Sequence, residues 1–505
     1  MKKENIAALC LALAFSSCTK YFDKDFWQDK AEKHLEDASS FEEIGSIDVG
    51  DVGAAEISAF DPKTNRLFIV NNSGTNRIDV VDLSNPVTPS LLGSIALEKY
   101  SGAVNSVSVH DGMLAAAIEA ANKQADGKIV LFDTRTYAEL EVISSGALPD
   151  MITFSPDGKY ILTANEGEPS ADYTSDPIGS VTIVATNDFT SRTIDFSAFA
   201  SQQNELQKQG LRIFGPNASF AQDLEPEYIT VSKDSKTAWV TLQENNAIAK
   251  IDLQSGSVTN IFPLGFKAYS TFANSIDPSD RDENIFFRSV PVFGIYMPDA
   301  IAVIEKRGTP YLITANEGDA REYDAFEEMS RLEDLELDEN AFPDGSTMKQ
   351  ENQLGRLNVT KTLGDANGDG KYEALYSLGA RSFSVWNGND GKLMFDSKNN
   401  LEEEVVEAGL YDDGRSDDKG AEPEGIAIGQ VGLKDIAFIG MERADAVALY
   451  DISEPANPIF LKMLQTGDAP EGVLFIHRND SPIKKSLLII SSENDGVVKI
   501  YAPKN

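Results

Sequence analysis

The stretch YLITANEGDARE, Tyr311 to Glu322, rewrites an earlier one, YILTANEGEPSA, Tyr160 to Ala171. Each sets a short apolar run ahead of Thr-Ala-Asn-Glu-Gly. Widening the window shows what precedes them: LPDMITFSPDGKYILTANEG and MPDAIAVIEKRGTPYLITANEG both open on an acid after proline. The same grammar recurs in EPEYITVSKDSKTAWVTLQEN, EPEGIAIGQVGLKDIAFIGMER and APEGVLFIHRNDSPIKKSLLIISSEN. Two looser copies come first, AAEISAFDPKTNRLFIVNNSG and VNSVSVHDGMLAAAIEAAN, so seven copies run along the chain. Each reads apolar strand, polar turn, apolar strand, carboxylate or amide, and often a third strand ending in Asp, as in RIDVVDLS, KIVLFDTR, AIAKIDLQ and AVALYDIS.

Short β-rich runs divided by Gly, Pro, Asp and Asn turns predict antiparallel hairpins. A period of about 45–50 residues suits four-stranded propeller blades. The last copy ends in GVVKIYAPKN, a third strand without a fourth, while IGSIDVG (Ile44 to Gly50) resembles LLGSIAL (Leu91 to Leu97), the fourth strand of the first copy. The expectation is an all-β, seven-bladed β-propeller over 44–505. Its N-terminal strand closes the C-terminal blade, which removes an open sheet edge. Two blades are too long for the period, so helical or loop insertions are placed at about 186–222 and 324–420. SAFASQQNELQKQGLRIF (Ser197 to Phe214) reads as helical by composition, and DAFEEMSRLEDLELDENAFPDG (Asp324 to Gly345) has Leu and Met at helical spacing.

Ahead of the repeats, MKKENIAALCLALAFSSCTK has a basic start, a ten-residue apolar core from Ile6 to Phe15 and small residues before Cys18. That core is too short to span a bilayer. FSSC reads as a lipobox, with Phe15 where Leu is more usual; a plain signal peptide is the alternative. The lipobox reading makes 1–17 a lipoprotein signal peptide, Cys18 the lipidated residue and membrane anchor, and 18–43 a tether. It puts the protein in a bacterial cell envelope. Of two cysteines only Cys18 would survive cleavage, which excludes a disulfide and nearly excludes thiolate chemistry. A net charge of −37 over 505 residues repels nucleic acid and attracts cations. Solubility alone is the plainer reading of that charge.

In a propeller the loop entering the inner strand and the loop after the second strand open on one face. The repeats therefore gather two sets of acids there: Glu56, Asp150, Glu227, Asp299, Glu424 and Glu471 at inner-strand starts, and Glu119, Glu166, Glu244, Glu317, Glu442 and Glu493 at second-strand ends. Crowded carboxylates must be protonated, paired with Arg, or neutralised by a hard cation. Oxygen donors favour Ca²⁺, or Mg²⁺, over zinc or copper, and three histidines in all leave little room for a His-based site. Turn capping is the structural alternative for the same acids. DANGDGKYE is a second, separate candidate: Asp365, Asn367, Asp369 and Glu373 stand at calcium-loop positions, Gly370 at the sharp turn, and the Lys371 carbonyl at the seventh. Tyr376 occupies the twelfth position instead of the EF-hand Glu. Arg321, Arg381 and Arg443 lie near acidic loops, as salt-bridge partners or as an anion-binding clamp.

QDLEPEYITVS, YMPDAIAV, LITANEGDARE, DANGDGKYEALYSLGARSFSVWN and EPEGIAIG, with AFIGMERADAVALYDIS after it, occur in that order. Together they resemble the choice-of-anchor I family, relatives of the mesenchyme-specific cell-surface glycoproteins, over roughly Ile44 to Tyr501. The resemblance implies a secreted or surface-anchored β-propeller, sometimes described as alkaline-phosphatase-like, and carries over no catalytic residue. Two functions follow: a calcium-binding surface module presenting its loops to a protein or glycan, or a calcium-dependent phosphoesterase acting on a phosphate ester. A deep acidic pocket with an Arg on the TANEG face would favour the enzyme, and a shallow face with outward aromatics the binder.

Overall fold

The computed structural model describes residues 35–504. The expected signal segment 1–17 and Cys18 lie outside them. Among the described residues seven four-stranded antiparallel sheets follow one another along the chain. Their first strands are Ser58–Asp61, Val104–His110, Pro149–Phe154, Pro226–Val231, Ile301–Lys306, Pro423–Val431 and Pro470–Ile476. Each lies beside the next, and the last returns to the first, so the ring is closed and the fold is a β-propeller. We number the blades in that order.

The apolar runs behave as the repeat requires. Second strands such as Leu487–Ser492 are buried along their whole length, because neighbouring blades cover both faces. An outer strand such as Ser191–Asp195 alternates between exposed and half-buried positions. The core therefore lies between blades: Leu162 and Val181 of blade 3 pack with Leu242 and Ile251 of blade 4, and Phe383 of blade 5 meets Tyr450 of blade 6 with ring centroids 4.6 Å apart.

Blade 7 is completed by the N-terminal strand Phe41–Asp48, paired antiparallel with Val497–Pro503 from Phe41 opposite Pro503 to Asp48 opposite Val497. The strand begins three residues ahead of the expected Ile44, and packing explains why. Phe41 is fully buried against Phe438 of blade 6. Even Glu36, inside the expected tether, is buried, its carboxylate accepting from Ser486 N–H at 2.8 Å and Ser486 Oγ at 2.7 Å.

The insertions fall differently from the expected spans. The fourth strand of blade 3, Ser191–Asp195, lies inside the span 186–222, and the extra chain instead flanks it, over 166–179 and 196–225. The larger excursion leaves blade 5 after Asn316 and returns at Ser382, and further chain precedes Ile301 and follows Asp396. Residues 324–345 form no long helix. Met329–Arg331 pairs with Asn358–Thr360, and Leu332 and Leu335 sink into a separate small core with Tyr269, Ile276, Val292 and Leu357. Tertiary packing there overrides the helical spacing. The expected helix after Ser197 is present as a 3₁₀ turn followed by Gln203–Lys208.

A carboxylate-lined candidate site at the propeller mouth

The TANEG motif divides into parts with separate duties. In blade 3, Thr163 Oγ1 donates to Asn165 Oδ1 at 2.9 Å, while Asn165 Nδ2 donates to Ser180 and Thr182 across the strand. Blade 5 repeats this with Thr314, Asn316, Ser382 and Ser384. Buried amides satisfied in this way lock the end of the second strand. Gly167 and Gly318 then take φ values of 75° and 90°, and a Cβ on Gly318 would collide with Gly379. The glutamate between lock and bend is the residue left to face the channel.

The entry to the inner strand uses strain for the same end. Leu148, Met297, Glu422 and Ala469 each precede a proline and hold φ between 44° and 55°. That left-handed conformation is costly for such residues. It delivers the acid following the proline to the mouth.

The two sets of acids converge. A cavity of about 300 Å³ is lined by ten carboxylates: Asp150, Glu166, Glu168, Glu227, Glu244, Asp299, Glu317, Asp319, Glu424 and Glu471, with Gln243, Arg321 and Tyr323 closing its side. Carboxylate oxygens of Asp299, Glu317 and Glu424 lie within 4.8 Å of one another. A second triad, Glu317, Glu422 and Glu442, meets the same limit and shares Glu317. Glu56 and Glu493 lie on the blade 1 and 7 side, where Asn72 donates to Glu56 at 2.9 Å. Glu119 faces Lys123 at 3.8 Å.

Burial, and then repulsion from neighbouring carboxylates, pushes Asp299, Glu227, Glu424, Glu166 and Glu471 well above the usual range. Burial drives Glu244 up to about 8, and burial with the Glu168 charge raises Asp150 to about 6. Glu317 is the exception: burial raises it, but the Lys419 ammonium at 3.0 Å and the Gln243 amide at 2.9 Å more than reverse the effect. Glu244 Oε2 and Glu424 Oε2 are buried without a hydrogen-bond partner. Such oxygens fit a hard cation. The contrast with the third-strand acids is instructive. Asp82, Asp252 and Asp451 accept N–H bonds from Ser84, Ser255 and Ser453 and cap turns.

The arginines divide otherwise than as one anion clamp. Arg321 lines the cavity but is fully engaged, with Asp223 at 2.6 Å and Glu225 at 2.9 Å. Arg381 is buried away from the cavity, donating to the carbonyls of Asp277, Ser416 and Asp418. Only Arg443 keeps partial exposure, paired with Glu442 at 2.8 Å. Sequence reasoning missed Glu168 and Asp319, although each stands two residues after a TANEG glutamate, and missed Glu422, the first acid of an EPE pair. Both EPE pairs obey one rule: the first acid is ion-paired (Glu225 with Arg321, Glu422 with Arg415 and Lys419), and the second faces the cavity. Lys419 carried no sequence signal.

The Asp365 loop is curled round its own side chains. Asp365 accepts from Gly368 N–H at 2.7 Å and Gly370 N–H at 2.9 Å, Asn367 from Asp369 N–H, and Glu373 from Ala366 N–H. Oxygens of Asp365, Asp369 and Glu373 lie within 4.8 Å of one another on an exposed turn. Lys371 directs its ammonium away, towards Glu336 at 3.5 Å.

Residues 56–455 match the choice-of-anchor I domain. Gigasin-3a of Magallana gigas is 26% identical over 182 residues, a match spanning 29% of this chain and 64% of that protein, just under two thirds of its length. Among solved structures, a chain of Kuenenia stuttgartiensis hydrazine synthase superposes at TM-score 0.47 with 14% identity, covering 89% of this chain and 96% of its own. The β-propeller domain of Myceliophteria thermophila Cps50 (Swd1) does so at 0.46 with 8% identity, covering 92% and 99%.

Proposed function

The chain belongs to the choice-of-anchor I family, and from that premise we propose that it is a cell-envelope β-propeller whose mouth holds hard divalent cations, Ca²⁺ foremost, and through them binds an oxygen-rich ligand such as a glycan or a phosphate ester. One observation carries this reading: ten carboxylates surround one cavity of about 300 Å³ whose arginine is already spent on other acids. Ionised carboxylates at that density repel one another strongly, and no side-chain cation reaches Asp299 or Glu424 within ion-pairing distance among the described residues. Asp299, Glu317 and Glu424 are the first ligands, and the Asp365 loop is a separate calcium position that stabilises the insertion. Cys18 is the lipid anchor, tested by acyl labelling of wild type against Cys18→Ser. Equilibrium dialysis with Ca²⁺ tests the mouth. Wild type binds Ca²⁺, and Asp299→Asn with Glu424→Gln loses that binding while the Asp365-loop ion stays. Equal Ca²⁺ uptake by both proteins would refute the reading.

A second reading is a metal-dependent phosphoesterase. It is favoured by the gathering of carboxylates beside Arg321 in one cavity, which Asp319 and Tyr323 of the segment after TANEG also line. Bound ions would supply the charge that polarises a phosphoryl oxygen. In this chain Glu317 would hold an ion, kept ionised by Lys419, while Tyr323 would exclude water. Turnover of p-nitrophenyl phosphate with Ca²⁺ or Mg²⁺, abolished by EDTA and by Glu317→Gln, would establish it. No turnover with intact Ca²⁺ binding leaves the binding module.

A further inference from the structure

Away from the mouth, the loop 277–287 of the insertion meets the segment 411–415 that leads from the helix Asn400–Glu407 towards blade 6. Asp277 is fully buried, and its Oδ2 accepts the Phe286 N–H at 3.1 Å. Its Oδ1 has no partner. The Asp413 carboxyl lies within hydrogen-bonding reach of the Asp277 carboxyl, and Asp413 Oδ1 is likewise buried without a partner. A third orphan oxygen, the hydroxyl of Tyr411, belongs to the same pocket of charge. Neither Asp277 nor Asp413 forms an ion pair among the described residues, whereas nearby Asp280 and Asp417 are paired with Arg356. Arg381 serves the Asp277 carbonyl rather than its carboxylate, and Asp282 adds further negative charge although Arg288 stands 3.7 Å from it.

Two abutting carboxyl groups, one fully buried and one half-buried, each with a buried unpartnered oxygen and neither in an ion pair, need a shared proton or a cation. The donors are all oxygen and come from two chain segments, which suits calcium better than a softer ion. We propose that Asp277 and Asp413, with the Tyr411 hydroxyl, form a structural divalent-cation site that staples the insertion to the segment bearing Lys419 and Glu422 at the edge of the mouth. The site is separate from the mouth and from the Asp365 loop, and it stands whether or not either of those binds metal. Burial pushes Asp277 up to about 6, as fits a carboxyl left without a counter-charge.

The test compares wild type, Asp277→Asn and Asp413→Asn by thermal melting in EDTA and in Ca²⁺, with a Mg²⁺ arm, alongside calcium stoichiometry. In EDTA at neutral pH either amide relieves repulsion and melts at or above wild type. In Ca²⁺ the order reverses, and each variant binds one ion fewer per chain than wild type. Limited proteolysis within 279–287 is slowed by Ca²⁺ in wild type only. Asp413→Asn, at the less buried partner, keeps the comparison available if Asp277→Asn fails to fold. Unchanged stoichiometry, or variants that remain the more stable in both conditions, would mean that the two carboxyls share a proton and would overturn the proposal.

Discussion

Raising the pH of the cation-free protein is the sharpest test of the crowded mouth. Burial raises Glu56 and Glu442 from 4.5 to about 7, and Glu244 from 4.5 to about 8. Below pH 4.5 each is neutral in both folded and unfolded chains and costs nothing. As pH rises, the unfolded chain ionises first, so it releases protons that the folded chain retains, and stability falls until the folded value is passed. At about 1.4 kcal/mol per pKa unit, ionisation in the folded state costs about 3 kcal/mol for Glu56 or Glu442 and about 5 kcal/mol for Glu244. Those three alone approach the whole stability of an ordinary domain, about 5–15 kcal/mol. Exposed acids shifted the other way do not compensate: Asp157, lowered to about 2 by Lys159, has completed its contribution before this window opens. The melting temperature in EDTA should therefore fall steeply between pH 5 and pH 8. Saturating Ca²⁺ should flatten the fall, and Ca²⁺ addition at pH 7 in weak buffer should release protons. A cation-free melting temperature that is constant or rising over this range would refute the argument.

Three further outcomes are expected. Arg321→Gln leaves Asp223 and Glu225 buried without a counter-charge, and equilibrium denaturation should register a loss of about 3–5 kcal/mol; a stable variant that had lost only anion binding would restore the clamp reading. Phe41→Ala empties a fully buried position against Phe438 where blade 7 closes, and should cost about 3–5 kcal/mol, while Glu42→Ala on the exposed side of that strand should cost little. Asp369→Asn should remove the part of Ca²⁺-dependent stabilisation that belongs to the exposed loop and leave the mouth's calcium uptake unchanged, as dialysis would show.

The blades were legible because the repeat writes the same physics seven times: apolar runs covered on both faces, turn residues between them, and a missing fourth strand at one end matched by a spare at the other. The convergence of Asp150, Glu166, Asp299, Glu317 and Glu424 was legible for the same reason, since a strand end fixes direction as well as position. The insertions were not. Leu332 and Leu335 sit at a spacing that suits a helix, yet their partners Tyr269 and Leu357 come from distant parts of the chain and impose a different backbone. The arginines show the same limit. Arg321 and Arg381 stand in similar sequence surroundings, and one lines the mouth while the other lies beneath the insertion, because their partners Asp223 and Ser416 belong to excursions that no periodicity predicts.

Those excursions give the acidic mouth its character. The ring alone would present its acids to open solvent, where charges are screened and carboxylates stay near their ordinary values. Asp319 and Tyr323, which follow TANEG, add to its lining, and Lys419, which precedes blade 6, reaches Glu317 at 3.0 Å. Burial raises the cost of unpaired charge, and Lys419 meets that cost at Glu317 and Glu422 but not at Asp299 or Glu424. The repeats thus supply a ring of oxygen donors, and the non-repeating chain decides which of them keep a protein counter-charge. The acids left without one, Asp299 and Glu424 beside the shared Glu317, are where a divalent cation would gain most.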